Sequence, residues 1–192
     1  MADCKDRGNL FDCDGSCSRS IVLACDGSKH SHRALNFYYD NIMKLDDHVF
    51  IYHAFELPSM PSAPYPYSFS YYEEWSKFVK EADKNAVEVL KSAGEHLLHK
   101  VREKHPRHDK EHHAKPHIQL YKENGRAGEV ICGFCKEVQP SLLIMGSRGQ
   151  GTLRRTLLGS VSDYCIHHNE TNVPIMVIPP SSEQSDCNQQ KD

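Results

Sequence analysis

Residues 142–168 constrain the fold most tightly. Leu142-Leu143-Ile144-Met145 is a short, continuous apolar run. That suits a strand buried on both faces and is too brief for a typical helix. The run delivers the backbone to Gly146. Gly149 follows, then Gly151, then Gly159-Ser160 and a helix-like segment, Val161–His168. A buried strand, a glycine turn and a helix start together suit an anion. Glycines let backbone come close without a Cβ in the way. The first N–H groups of a helix lack intrahelical partners, and the helix dipole favours negative charge there. Ser160 either caps that helix, with Asp163 completing an S-x-x-D pattern, or offers its hydroxyl to the anion.

Two familiar phosphate motifs fail at this stretch. Gly146–Gly151 has Walker-type glycine spacing, but Thr152 stands where the lysine should be. The dinucleotide fingerprint starts at Gly149 and Gly151 and then meets Arg154 instead of a third glycine. The spacing G-x2-G-x9-G-S, set between a strand and a helix, resembles the nucleotide-binding signature of the universal stress proteins, in their ATP-binding subgroup.

Composition narrows the remaining classes. A chain of 192 residues suits one domain with tails. Net charge is −3 with histidine neutral, and no basic run is interleaved with aromatics, so no nucleic-acid partner is expected. No apolar stretch reaches the roughly 20 residues of a membrane span, so no membrane partner is expected. The polar start of the chain does not read as a signal peptide, which makes the cytoplasm the expected location. The eight cysteines are then expected as thiols. Cys132-Gly-Phe-Cys135 imitates a redox or half-zinc motif, but there is no second C-x-x-C, so these thiols read as packing.

Taken in order, residues 1–18 are polar and read as a disordered lead-in. Ser20–Cys25 is a buried strand, and Asp26-Gly27-Ser28 turns. Ser28 or Ser31 can cap the helix that follows. Asp26 is a turn acid on local evidence alone. Its place at the carboxyl end of a strand also puts it where open α/β sheets bind ligands. His48–Ala54 is the second strand, with His53 read as a packed histidine. Leu57–Tyr72 holds four prolines and four tyrosines and reads as a loop, either a mobile one or a lid. Glu74–Lys104 is a long amphipathic helix whose stripe from Trp75 and Phe78 to Val101 is expected to face the sheet. A histidine-rich stretch from His96 to His117 includes His108 and His112, four apart. It reads as a solvated loop that gains charge on acidification. Ile118–Tyr121 is a third strand and Gly128–Val138 a helix. Asn172–Ile178 is the last strand, where Pro174 argues for a sheet edge. Residues 181–192 read as a disordered tail, leaving 19–180 as the folded domain.

Five apolar strands alternating with four helical segments predict an α/β fold with a parallel sheet. The resemblance adds a three-layer α/β/α sandwich, five-stranded, in order 3-2-1-4-5, like the adenine nucleotide alpha hydrolases. It implies ATP, or AMP or ADP, in the crevice where strands 1 and 4 diverge. Adenine would lie against the backbone of Ala54. Ribose would lie near Asp26 and Gly146, with Ala24, Cys25 and Met145 also among the nucleotide-binding residues. Phosphates would lie over Ser147, Arg148 and Gly149 and against Gly159, Ser160, Val161 and Ser162. Mg²⁺ would accompany ATP, with Asp26 as its one candidate protein ligand. The resemblance further implies a stress-response homodimer joined through its last strands, Val173–Ile178, with at most slow ATP hydrolysis and no catalytic residue. Two other readings stay open. One is an ATP-dependent adenylyl transferase or pyrophosphatase of related fold, against which Asp26-Gly27-Ser28 departs from the usual S-G-G-x-D-S-type loop. The other is an interaction module that uses the tyrosine-rich and histidine-rich loops without nucleotide.

Overall fold

The computed structural model describes residues 4–5, 18–59, 68–104, 116–149 and 158–180. Six strands and four helices alternate through them: β1 (Cys4–Lys5), β2 (Arg19–Ala24), α1 (Lys29–Asn41), β3 (Asp47–Phe55), α2 (Ser68–Lys104), β4 (His117–Asn124), α3 (Ala127–Val138), β5 (Leu142–Gly146), α4 (Ser160–His167) and β6 (Ile175–Ile178). The sheet runs β1-β4-β3-β2-β5-β6 and every pairing is parallel. Its five strands from β4 to β6 follow the expected 3-2-1-4-5 order. The two-residue β1 beside β4 is an addition, in the polar segment expected to be a disordered lead-in. The histidines of 105–115, the tyrosine loop from 60 to 67, and residues 150–157 lie outside the described residues.

Side chains alternate across the sheet with period two. Ile21, Leu23, Val49, Ile51 and Ile144 pack under α1 and α2 with Leu35, Tyr38, Leu90 and Leu97. Val22, Phe50, Tyr52, Leu143 and Met145 pack under α3 and α4 with Ile131, Phe134 and Cys165. A sheet covered on both faces explains why its strands read as unbroken apolar runs. Cys25, Cys135 and Cys165 are buried in these two layers and Cys132 is half-buried. Burial raises all four thiols above their ordinary pKa, which suits inert packing groups.

At the amino-terminal edge of the sheet, Asp47 is fully buried. It accepts from Arg19 Nε at 2.5 Å and Arg19 Nη2 at 3.0 Å, from the Tyr38 hydroxyl at 2.7 Å, and from the Lys44 N–H at 2.8 Å. This cluster ties β2, α1 and β3 together at the end opposite the carboxyl edge.

Helix α2 departs from expectation at its start. It begins at Ser68, six residues before Glu74, because the last proline of the loop is Pro66 and nothing after it breaks a helix. At about 1.5 Å per residue it spans roughly 55 Å, whereas β3, with nine residues, spans about 30 Å. The surplus overhangs the carboxyl edge of the sheet. The expected core stripe therefore holds only from Ala86 onward. Phe78 is 60% exposed, Tyr71 and Tyr72 are exposed, and Trp75 is only half-buried. The Trp75 indole N–H donates to the Pro58 carbonyl at 2.9 Å, tying the end of the β3 exit to the helix.

Candidate nucleotide-binding crevice

Strands β2 and β5 are neighbours whose connections leave in opposite directions, β2 through α1 to β3 and β5 through α4 to β6. Such a switch point opens a crevice at the carboxyl ends of the strands. A cavity of about 1300 Å³ lies there. It is lined by Ala24, Cys25 and Asp26 at the end of β2, by Ala54 on β3, and by Met145 to Gly149 at the end of β5. Gly159 to Ser162 at the start of α4 complete this set. Every residue that the sequence reading assigned to the site lines this one cavity. Gly146 and Gly159 share it, and Asp26 faces it from across the switch point.

The start of α4 has the backbone geometry that suits an anion. Its N-cap is Gly159, with no side-chain cap, so Ser160 is the first helical residue and does not cap the helix. The Gly159 N–H donates to the Ser147 carbonyl at 2.5 Å, and the Asp163 N–H to the Gly159 carbonyl at 2.9 Å. Between them, the N–H groups of Ser160, Val161 and Ser162 have no intrahelical acceptor. All three residues line the cavity, at the positive end of the helix dipole. The Ser162 hydroxyl is turned back onto the Gly159 carbonyl at 3.0 Å. The Ser147 N–H is committed to the Ile178 carbonyl at 2.8 Å, so Ser147 has no amide to give an anion. Its buried hydroxyl is without a hydrogen-bond partner among the described residues.

The glycines serve the chain before they serve a ligand. A Cβ on Gly146 would sit 2.8 Å from the His30 backbone, where the start of α1 crosses β5. A Cβ on Gly159 would sit 3.0 Å from the Ser147 carbonyl oxygen, and one on Gly149 2.7 Å from Asp26 Oδ2. The three glycines let α1, the β5 exit and the start of α4 converge on one point.

Asp26 fills the turn role and faces the site as well. Its Oδ1 accepts the Ser28 N–H at 2.9 Å, and Gly27 takes a positive φ of 76° to complete the turn. Ser28 rather than Ser31 caps α1, accepting the Ser31 N–H at 3.2 Å. Asp26 Oδ2 lies on the Gly149 side, inside the cavity wall.

At the other side of the crevice, strand geometry opens Ala54. The Tyr52 carbonyl accepts the Cys25 N–H at 2.8 Å, on the β2 side. The Phe55 carbonyl accepts the Gly125 N–H at 2.9 Å, on the β4 side. Backbone groups alternate along a strand, so the N–H and C=O of Ala54 face the β2 side. Strand β2 has already ended at Ala24. The pair is thus presented to the crevice as one donor and one acceptor, side by side.

One wall of the cavity lies outside the residues expected from the sequence. Ala82, Asn85, Ala86 and Val89 of α2 line the cavity opposite His53 and Phe55, and Ala127 and Ile131 of α3 close its other side. The signal was the length of α2, since a helix longer than the strands it covers must overhang one edge. Among the described residues no cluster of three or more His, Cys, Asp or Glu could hold a metal ion. A cation here would need phosphate oxygens beside Asp26, which fits the usual habit of Mg²⁺.

The sequence profile of the universal stress protein family matches residues 18–179. The universal stress protein PHOS34 of Arabidopsis thaliana is 28% identical over 186 residues, covering 84% of this chain and 62% of that protein. The chain thus spans less than two thirds of that relative. A universal stress protein family protein from Arabidopsis thaliana, solved with AMP bound, superposes with a TM-score of 0.55 at 18% identity, covering 91% of this chain and 99% of that one. A universal stress protein in complex with cAMP superposes with a TM-score of 0.52 at 18% identity, covering 86% of this chain and all of the other. Fold, switch-point crevice and glycine spacing agree with a profile match across nearly all the described core, and the chain belongs to the universal stress protein family.

Proposed function

We propose that this chain binds an adenine nucleotide in the crevice, ATP with Mg²⁺ being the form its phosphate cradle best accommodates. It would act as a nucleotide-dependent, homodimeric stress-response protein. The observation that carries the reading is the pairing of two open backbone sets on one cavity. Ala54 offers the donor–acceptor pair that an adenine edge complements, and Ser160, Val161 and Ser162 offer three amides to phosphate. AMP and cAMP in two structural neighbours support an adenine ligand. Asp26 stands where a carboxylate could share Mg²⁺ with phosphate oxygens. Hydrolysis, if any, would be slow, because the 146–151 glycine segment lacks the lysine with which phosphate loops clamp charge. Strand β6 ends the sheet order and pairs only with β5 among the described residues, which leaves an edge for a second copy to extend.

Calorimetric titration with ATP, AMP and cAMP tests the ligand. Mass spectrometry after acid release identifies what the purified protein carries. Micromolar binding of at least one of the three supports the reading. No binding by the native protein sinks it in favour of an interaction module, and steady release of pyrophosphate would favour the transferase.

A further inference from the structure

His53 is a polar group of the crevice that the ligand pose above leaves unused. It precedes Ala54 on β3, is only 9% exposed, and lines the cavity opposite α2. Its Nδ1 lies 2.7 Å from the Cys25 carbonyl oxygen. A carbonyl oxygen can only accept, so Nδ1 carries the hydrogen, and the neutral ring keeps its lone pair on Nε2. Burial lowers the pKa of this ring below the ordinary histidine value, which holds it neutral at pH 7. The protein contact of the ring is made through Nδ1, which leaves Nε2 as its acceptor.

The ring is held from two sides. The Cys25 carbonyl that fixes it belongs to a residue whose own N–H is donated to Tyr52. Phe55, two residues on, stacks against it at 6.4 Å with planes 10° apart. A packed core histidine would normally satisfy both nitrogens within the protein. This one lines a cavity beside Ala54, with Nδ1 fixed on the Cys25 carbonyl and Nε2 left as the ring's acceptor. The complement of a fixed acceptor is a donor on the ligand. In an adenine whose edge is read by Ala54, the 6-amino group gives one hydrogen to the Ala54 carbonyl and has a second to place. The ring nitrogens of adenine only accept.

We propose that His53 is a specificity-determining residue whose Nε2 accepts the second hydrogen of the base 6-amino group. The inference rests on the adenine-nucleotide reading and deepens it. A 6-oxo purine would set an oxygen lone pair against the Nε2 lone pair, so the same ring that favours adenine opposes guanine and hypoxanthine bases.

The test is a calorimetric cycle at pH 7.5 with ATP and with purine riboside triphosphate, which lacks only the 6-amino group. His53→Asn keeps an amide N–H where Nδ1 was and withdraws the acceptor from the cavity. His53→Leu fills similar space with no polar atom and serves as the second variant, with circular dichroism reporting that each is folded. Each variant should lose about tenfold in ATP affinity, the fold-change of one hydrogen bond, and less than about twofold for the analogue. Equal losses for both nucleotides would mean that the ring only props the crevice, and unchanged ATP affinity would mean that it touches nothing. Either result overturns the inference while leaving the adenine-nucleotide reading intact. A native protein that binds neither nucleotide defeats that reading first.

Discussion

Proline at position 160 separates the amide cradle from everything else near the phosphates. Ser160 is the first residue of α4, where proline is favoured because its missing N–H is an orphan anyway. The residue before a proline must be extended, and Gly159 already has φ −79° and ψ 163°. Ser160→Pro should therefore leave the helix intact, with the melting temperature within about 2 °C of the parent. It removes the hydroxyl and one N–H together, whereas Ser160→Ala removes the hydroxyl alone. The ratio of their ATP dissociation constants isolates the amide. A hydrogen bond to a charged phosphate oxygen contributes about 1.5–3 kcal/mol, so Ser160→Pro should bind ATP roughly 10- to 100-fold more weakly than Ser160→Ala. Adenosine, which has no phosphate, should bind all three proteins alike. Calorimetry provides every constant needed. If Ser160→Pro and Ser160→Ala bind ATP equally well, the α4 amides do not hold the phosphates.

Three further outcomes follow from the geometry. Asp47→Ala strips four donors of their common acceptor and leaves the Arg19 guanidinium facing a largely buried site. Urea unfolding should show a loss of about 3–5 kcal/mol, and a loss under about 1 kcal/mol would mean that water replaces the carboxylate. Burial, with His117 adding to it, depresses the His48 pKa to about 4, so the unfolded chain binds the extra proton between the ordinary histidine value and that point. Stability is then full above about pH 6.5 and falls as pH drops, by about 2 kcal/mol at pH 5. Buried His53, its pKa also lowered, acts in the same direction; His48→Phe should flatten most of the slope in urea titrations at pH 7.5 and 5. Gly146→Ala sets a methyl 2.8 Å from the His30 backbone, so α1 must shift. Calorimetric melting should register about 1–3 kcal/mol of destabilisation, and an unchanged melt would show that α1 moves freely.

The parts of this molecule legible in its sequence are those where one local pattern has one structural solution. Apolar runs too short for helices became strands covered on both faces. The strand–glycine–helix stretch fixed the switch-point crevice, because only there do β2 and β5 diverge. What stayed illegible depends on length and on partners distant in the chain. The periodic stripe of α2 promised core from Trp75, but periodicity reports a face and says nothing of what lies beneath it. Beneath Phe78 there is no sheet. Ser160 had the chemistry of a cap, yet Gly159 occupies the cap position because its N–H is drawn to Ser147, and that pairing is visible only once the chain has folded back. The glycines show the same division. Their spacing pointed to close approach, and close approach is what they permit, but the approaching groups are His30, Asp26 and Ser147 of the chain itself. A substitution such as Gly159→Asp therefore cannot report on nucleotide alone, since it strikes the Ser147 carbonyl before any phosphate arrives. Removing an amide while keeping the backbone path asks about the ligand without disturbing the convergence that builds its site.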